Sequence, residues 1–460
     1  MKPFDVVIIG AGQAGVPLAQ KLTAAGRTVA LIERSELGGS CVNFGCTPTK
    51  AVLASARVAH LARRASEYGI QIADVRVDYR AVMTRARQIV QASRSELQAS
   101  VDAMEGLSVL RGHARLTGHA EGSFGLQVSG QQLQGRQVVL NTGTRSVIPA
   151  AIEGLADVPF LHAGNWLDLN DCPEHLLMIG GGAIGLELSQ FYRRMGARVT
   201  LIENTRQVAS PEDADVAAAV QRTLESEGID VRLGTEVLGV HGEATHLSVV
   251  VRSSGTVERL EGSHVFVAVG RRPNTDDLGL ECVGVQLDED GFVVVDERLA
   301  SSVPGVWVAG DIRGGLMFTH TSWDDHRVLA SQLLGEASRT TQRVVPYGVF
   351  TDPPLGRVGM TETEARDRVG DSVRVTWYEL KHNGKAQELG EPDGFVKLVL
   401  DADDQLLGAA VFGVHADEVV HAYAHLLHAS LRLEVLASGL HLHPSITEAV
   451  QSAARRALER

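Results

Sequence analysis

Cysteine is scarce, with four residues in 460. That is too few for a disulfide scaffold, so the thiols present need another explanation. Positive charge is also in deficit. Lys and Arg number 43 against 56 Asp and Glu, a formal net charge of −13. Such a chain is a poor partner for nucleic acid or an anionic membrane surface. No apolar run reaches the ~18 residues of a membrane-spanning helix. The apolar opening from Val6 to Leu18 is broken by Gly10, Gly12 and Gly15, follows Asp5 and has no basic leader, so it does not read as a secretion signal. No low-complexity linker interrupts the chain, and its domains are expected to be tightly integrated. With 44% hydrophobic and 22% charged residues, disorder and fibrous architectures are excluded. The expectation is a cytoplasmic protein of about three domains, at ~150 residues each, with a few special thiols.

What is abundant is glycine, 48 residues, and part of it lies in a repeat. FDVVIIGAGQAG (4–15) and HLLMIGGGAIG (175–185) are each an apolar run followed by G-x-G-x-x-G. Each leads into a helical pattern and a second apolar run that ends in an acid. Glu33 follows Gly10 by 23 residues, and Glu203 follows Gly180 by 23. One βαβ unit is therefore written twice. In such a unit Gly10 or Gly180 permits the tight turn from strand to helix. Gly12 or Gly182 admits a pyrophosphate against the backbone, and Gly15 or Gly185 lets the helix pack on the strand. The phosphates sit at the helix N-terminus, and the acid accepts ribose hydroxyls. A lone G-x-G-x-x-G is weak; the whole unit found twice points to two dinucleotides. A carboxylate at Glu203 disfavours the 2′-phosphate of NADP, so NAD(H) is favoured over NADP(H), although Arg206 stands three residues on.

Residues 50–65 and 80–104 have helical composition. Residues 107–148 and 229–270 read as short strands, ending in VVLNTGT and HVFVAVGRRPNT, and VWVAGD (306–311) is a further buried strand. From about 342 the pattern changes to the strands GFVKLVL and LLGAAVFG, then to helical stretches over 417–438 and 446–459. The expected fold is α/β: two Rossmann-like dinucleotide-binding domains and a C-terminal α+β domain. The boundaries are 1–148 and 271–341 for the first domain, 149–270 for the second and 342–460 for the third.

The sharpest local motif is GGSCVNFGCTPTK (38–50). Cys41 and Cys46 stand close together, and Pro48 suits the first turn of a helix. A helix N-terminus favours a thiolate, and two neighbouring thiols can form a readily reduced disulfide. Zinc is a rival reading, but a second ligand pair at metal spacing is missing; two inert thiols are the bland one. Cys172 and Cys282 lack such context and read as structural. His421, His425 and His428 share one helical face in a histidine-rich region that includes His415 and His441. They could bind metal, but an interface or core helix is the favoured reading, and no metal site is assigned.

With CVNFGCTPTK behind a first G-x-G-x-x-G, a second such motif, AGD, and a tail HLHPSITEA, the chain resembles the flavin-dependent pyridine nucleotide–disulfide oxidoreductases. This is the branch of lipoamide dehydrogenase, glutathione reductase and mercuric reductase, and the resemblance spans the chain. It implies FAD in the first unit, with Glu33 on its ribose and Asp311 on its ribityl chain, and NAD(P)H in the second. Also expected around the cofactors are Arg34, Gly39, Ser40, Thr142, Gly143, Gly270, Gly310, Phe318, Thr319 and His320, with Trp323, Asp324 and Asp325 near the flavin-side helix start. It makes Cys46 the thiol beside the flavin and Cys41 the one that meets substrate. Lys50 and Glu187 match an ion pair near flavin N5. His443 is the implied acid–base group, oriented by Glu448; an imidazole suits proton shuttling near neutrality. In the family this tail serves the partner subunit, so a homodimer is implied.

The implied activity passes electrons between NAD(P)H, flavin and the Cys41–Cys46 disulfide to a small-molecule disulfide, dithiol or metal ion. HLHPSITEA is close to lipoamide dehydrogenase, whereas FTHTSWDD and VFTDPPLGRVGMTE look more like mercuric reductases and reactive-chlorine-resistance flavoproteins. The ending RRALER without a Cys-Cys tail, a start directly on the first strand, and a histidine at His443 all argue against efficient mercury reduction. Dihydrolipoamide dehydrogenase proper is one alternative. Others are a redox-sensing flavoprotein without a turnover substrate, and a flavin oxidase or quinone reductase with spectator thiols.

Overall fold

The structure, a computed structural model, describes residues 3–459. Two apolar runs seed two parallel sheets. Phe4–Ile9 and His175–Ile179 are buried along most of their length, as strands covered by helices on both faces must be. In the first sheet Phe4–Ile9 lies between Val29–Glu33 and Gln131–Leu140, parallel to both, with Leu107–Arg111 beyond. In the second, His175–Ile179 lies between Arg198–Ile202 and His264–Val267, again parallel, with Asp230–Arg232 beyond. The two sheets share one strand order.

The likeness extends past the motifs. Each sheet has an antiparallel excursion. Ala114–Ala120 and Ser123–Val128 precede Gln131–Leu140 in the first. Thr235–Glu243, His246–Ser253 and Thr256–Gly262 form the second. In the first, the last strand runs on into the parallel sheet; in the second it stops and His264–Val267 takes over. Val306–Val308 then returns to pair with Gln131–Leu140. Arg271–Pro273 pairs with Thr144–Ser146, tying together the two crossings between the sheets.

The C-terminal region is an antiparallel five-stranded sheet from Tyr347–Val349 to Leu406–Phe412, with the helices Ala416–His428 and Glu448–Leu458 packed on it. The expected helix over 417–438 is broken. The amides of Ala429, Ser430 and Leu431 bond back to the carbonyls of His425, Leu427 and Leu426, and Ser430 takes a left-handed φ of 51°. A short second helix, Glu434–Ser438, follows. The break is made by backbone closure that composition does not reveal. Among the described residues no helix is long and apolar enough to cross a membrane.

One apolar core positions the site. It joins Val52 and Ala56 of the helix Cys46–Arg63, Met83 of Tyr79–Asp102, Leu186 and Phe191 of Ala183–Met195, and Phe395 and Phe412 of the C-terminal sheet. The helix that begins with Cys46 is thus clamped between the second nucleotide unit and the C-terminal sheet. Close packing of this kind leaves little room for the thiols to drift.

Candidate active site

The two glycine turns are built alike. Gly10 and Gly180 have φ of 108° and 110°, open to glycine and strained for other residues. A Cβ on Gly15 would stand 2.1 Å from the Gly10 carbonyl, and one on Gly185 would stand 1.9 Å from that of Gly180. Each helix therefore approaches its strand as closely as backbone allows. The two acids are held in the same way. Glu33 accepts from the amides of Ala11 and Ser35, both at 2.8 Å. Glu203 accepts from Gly181 at 2.6 Å and from Thr205 at 2.8 Å.

Both turns open into one cavity of about 1800 Å³, with the thiols between them. Of the residues singled out in the sequence, Gly10, Gly12, Glu33, Arg34, Gly39, Ser40, Cys41, Cys46, Lys50, Thr142 and Gly143 line it, as do Gly180, Gly182, Glu187, Glu203, Gly270, Gly310, Asp311, Phe318, Thr319 and His320. Gly15 and Gly185 lie behind the turns. His443 and Glu448 lie outside the cavity, so a single chain does not bring them to the thiols.

Cys46 is the first residue of its helix, which follows Gly45. The Gly45 amide is held by the Ser40 carbonyl at 2.7 Å, and the Trp166 indole donates to the Phe44 carbonyl at 2.9 Å. Cys46 Sγ lies 3.2 Å from Thr319 Oγ1. The hydrogen bond from Cys41, helped by Thr319 and the Lys50 charge, brings the Cys46 thiol down to about 6. That same contact with Cys46, together with burial, pushes Cys41 well above the ordinary thiol range. The two shifts run in opposite directions, so the pair is poised to hold a single negative charge, favoured on Cys46.

Lys50, one turn along the same helix, pairs with Glu187 at 2.7 Å, joining segments 137 residues apart in sequence. Glu187 is buried and also accepts from the Phe350 amide at 3.0 Å, while the Lys50 ammonium stands 4.4 Å from the Phe350 ring centre. On the opposite wall Asp311 accepts from Thr144 and Ser322, each at 3.2 Å. Asp325, fully buried, accepts from the Gly310 amide at 2.8 Å and pairs with Arg313 and Arg343. That network holds the end of the VWVAGD strand in place. Trp323 lines the cavity but is 47% exposed.

His443 Nδ1 lies 2.9 Å from Glu448 Oε1, and Glu448 also accepts from the Ser445 amide at 2.9 Å. The hydrogen bond to Glu448 raises the His443 imidazole above its ordinary range. Its ring is 79% exposed, open to a partner.

Several lining residues carry no local sequence signal. Asn141 donates to the Gly10 carbonyl at 2.9 Å and braces the first turn. Tyr347 donates to Glu212 at 2.6 Å and stacks on Phe318, which stacks on His320. Behind Glu212 lies fully buried Arg357, 3.7 Å from Glu212 and 3.5 Å from Asp213. Arg271, which donates to Thr144 Oγ1 at 2.7 Å, sits just after the VAVG run, a place where the two matching crossings could have pointed to it. Of the two cysteines read as structural, Cys172 is partly buried and raised by burial to about 11, whereas Cys282 is exposed and has no core to serve. Among the described residues no three His, Cys, Asp or Glu side chains gather to hold a metal.

A cavity shared by two nucleotide turns and a polarised thiol pair invites comparison with known proteins. The family described as pyridine nucleotide-disulphide oxidoreductase matches residues 4–325, and its dimerisation domain matches residues 345–454. The chain belongs to this family. Its members are flavoproteins that bind FAD and NAD(P). The chain is 33% identical to a dihydrolipoyl dehydrogenase of Thermus scotoductus over 99% of this chain and 97% of that one. It is 31% identical to the probable oxidoreductase RclA of Escherichia coli over 98% of each. Among solved structures it resembles a Cu(II) complex of RclA, an HOCl-induced flavoprotein disulfide reductase from Escherichia coli, with TM-score 0.88 at 31% identity over 99% of each chain. LpdA of Mycobacterium tuberculosis superposes with TM-score 0.89 at 25% identity, again over 99% of each. The fold of two Rossmann-like units and a C-terminal antiparallel dimerisation domain is that of these relatives.

Proposed function

We propose that this protein is an FAD-dependent oxidoreductase that passes electrons from NAD(P)H through Cys41 and Cys46 to a small disulfide or a metal ion. The observation that carries the reading is the placement of Cys41 and Cys46 in one cavity lined by both glycine turns, with Cys46 at the start of its helix and the Lys50–Glu187 pair beside it. The residues fit the cofactors. The first turn is a cradle that a Cβ would fill at Gly10 and Gly15. Glu33 would meet a ribose and Asp311 the ribityl hydroxyls of FAD. The second turn with Glu203 would take the nicotinamide dinucleotide. NAD(H) is favoured because the Glu203 carboxylate is fixed where a 2′-phosphate would fall, while Arg206 is exposed and outside the cavity. Bound FAD supplies hydride acceptance from the nicotinamide and delivery of the electron pair to sulfur.

The chain's own residues then do the following. Lys50 stabilises negative charge beside Cys46 and is itself oriented by Glu187. Cys41 loses its proton to a base and attacks one sulfur of a substrate RSSR. This forms Cys41–S–S–R and releases RS⁻, which takes up the proton. The Cys46 thiolate attacks the Cys41 sulfur, re-forms the Cys41–Cys46 bond and releases the second RS⁻. The same thiol–thiolate pair can instead give its two electrons to two ions of the Cu(II) class, one to each, reducing both to Cu(I), losing the single proton of Cys41 and closing the same disulfide. The base is His443 of one protomer, held by Glu448, serving the thiols of its partner in a homodimer. The high exposure of that imidazole and its position outside its own chain's cavity support this arrangement.

A second reading, oxidation of dihydrolipoamide by NAD⁺, is favoured by the His443–Glu448 pair and by relatives of that name. The metal-ion reading is favoured by the relative solved with Cu(II). Steady-state assays of the yellow protein with lipoamide, glutathione disulfide, Cu(II) and Hg(II) distinguish them. Turnover of lipoamide alone removes the metal-reductase reading, and turnover of Cu(II) alone removes the lipoamide one. NADH oxidation that persists in Cys41→Ser and Cys46→Ser removes the proposal.

A further inference from the structure

The helix Ala416–His428 carries the histidines that the proposed chemistry leaves unused. His421, His425 and His428 are exposed along it. His421 also lines the cavity of the thiols, as do His320 and, one turn before it on the same helix, Asp417. In the single chain the run of imidazoles leads from the surface to the cavity mouth, on a helix of the dimerisation domain.

His421 and His425 are at i and i+4, the spacing that lets two imidazoles on one helical face share an ion. Their ring centres are 6.2 Å apart. With metal–nitrogen distances of ~2.0–2.1 Å, a ring centre sits roughly 3.2 Å from its ion, so a chelating pair can span up to roughly 6.4 Å. At 6.2 Å the rings are near that limit, which is reached only with the two nitrogens on nearly opposite sides of the ion, so chelation turns the rings toward one another. No third His, Cys, Asp or Glu completes a cluster among the described residues. A resident structural metal needs a closed ligand set, whereas an ion in transit needs open positions.

We propose that His421 and His425 form a capture site for a divalent cation of the Cu(II) class, at the entrance to the thiol cavity. The inference rests on the metal-ion acceptor reading above. Imidazole nitrogens suit Cu, Zn and Ni, with Cu(II) bound most tightly. Of Cu(II) and Zn(II), only Cu(II) can take an electron from the dithiol, since Zn(II) has no redox chemistry. Two imidazoles without a third ligand among the described residues leave positions open on the ion, as transfer to sulfur requires.

The test uses untagged, oxidised holoenzyme, in which the Cys41–Cys46 disulfide offers no thiolate ligand. Cu(II) alone is titrated by calorimetry, with electron paramagnetic resonance for nitrogen coupling, into wild type, His421→Ala, His425→Ala, the double variant, and His246→Ala as an exposed control. The expected result is a site with two nitrogen ligands whose affinity falls at least tenfold in each single variant and is lost in the double variant, with His246→Ala unchanged. In Cu(II)-dependent NADH oxidation the single variants raise KM for Cu(II) tenfold with kcat retained. Unchanged Cu(II) affinity in the double variant overturns the proposal, as does loss of the dimer in place of loss of the metal. Cu(II) binding at these histidines without Cu(II) turnover by wild type removes the acceptor reading and leaves the site. Cu(II) turnover with unaltered binding in the double variant does the reverse.

Discussion

The two nucleotide units have one strand order and one turn geometry, yet their surroundings differ. The first turn is walled in. A Cβ on Gly12 would stand 3.4 Å from Asn141 Nδ2, and one on Gly39 would stand 3.0 Å from Gly12 itself. The Gly38 amide bonds to the Ala11 carbonyl at 2.8 Å, and Gln13 donates to the Gly38 carbonyl at 3.0 Å. The second turn is open: a Cβ on Gly182 meets nothing within 4 Å. Two strand–turn–helix units of one geometry are thus enclosed to different degrees. The difference comes from what the rest of the chain lays over them. Resident FAD in the first and passing nicotinamide dinucleotide in the second is the assignment this contrast favours.

Paired substitutions break the comparison most strongly at the third glycines. Gly15→Ala drives a methyl to 2.1 Å from the Gly10 carbonyl and 2.8 Å from Asn141 Nδ2. It should yield colourless protein without turnover, read from the flavin-to-protein absorbance ratio. Gly185→Ala makes the same clash with Gly180, at 1.9 Å, but should leave the protein yellow and weaken NADH use by about a hundredfold in kcat/KM. Loss of flavin in Gly185→Ala and its retention in Gly15→Ala would reverse the assignment.

The pair that joins the two units comes next. Glu187→Gln keeps the shape and an acceptor for the Phe350 amide but removes the charge opposite Lys50. Turnover should fall by ~10–100-fold, the scale of one misoriented charge at a reacting centre. Stability should change by less than ~1 kcal/mol because Lys50 is 36% exposed. Equal losses in Tm and in activity would make the pair structural.

Much of this was legible in the sequence, and the reason is local. The turn glycines, their acids and the thiol motif announce themselves because each needs particular residues at fixed spacing along one stretch of backbone. Lys50 with Glu187 was legible only through the family resemblance, since nothing local joins residues 137 apart. Asn141, Trp166, Phe350 and the Tyr347–Glu212–Arg357 wall were not legible. Each acts through a tertiary contact and lies in a run that would look the same without it. The split of the helical stretch at Ser430 was hidden for a related reason, because a left-handed residue outside glycine leaves no compositional mark.

Smaller effects sharpen the contrast. Gly182→Ala has room to fold, so its whole effect should appear as a rise of about tenfold in KM for NADH, where the methyl meets the pyrophosphate, with flavin content and Tm unchanged. Glu203→Ala should narrow the preference for NADH over NADPH about tenfold by removing the carboxylate that repels a 2′-phosphate, measured as the ratio of kcat/KM values. A preference that does not move would place nucleotide choice elsewhere in the second unit.

The route of electrons through Cys46 is tested most directly by anaerobic titration of the yellow protein with NADH, watching the long-wavelength absorbance of a thiolate beside oxidised flavin. Because Cys46 is lowered to about 6, its thiolate exists above that pH and is protonated below it. The band should therefore form at neutral pH with one equivalent of NADH, fade as pH falls through about 6, survive Cys41→Ser and be absent in Cys46→Ser. Direct bleaching of the flavin along the same course in wild type and Cys46→Ser, with no such band at any pH, would contradict the account.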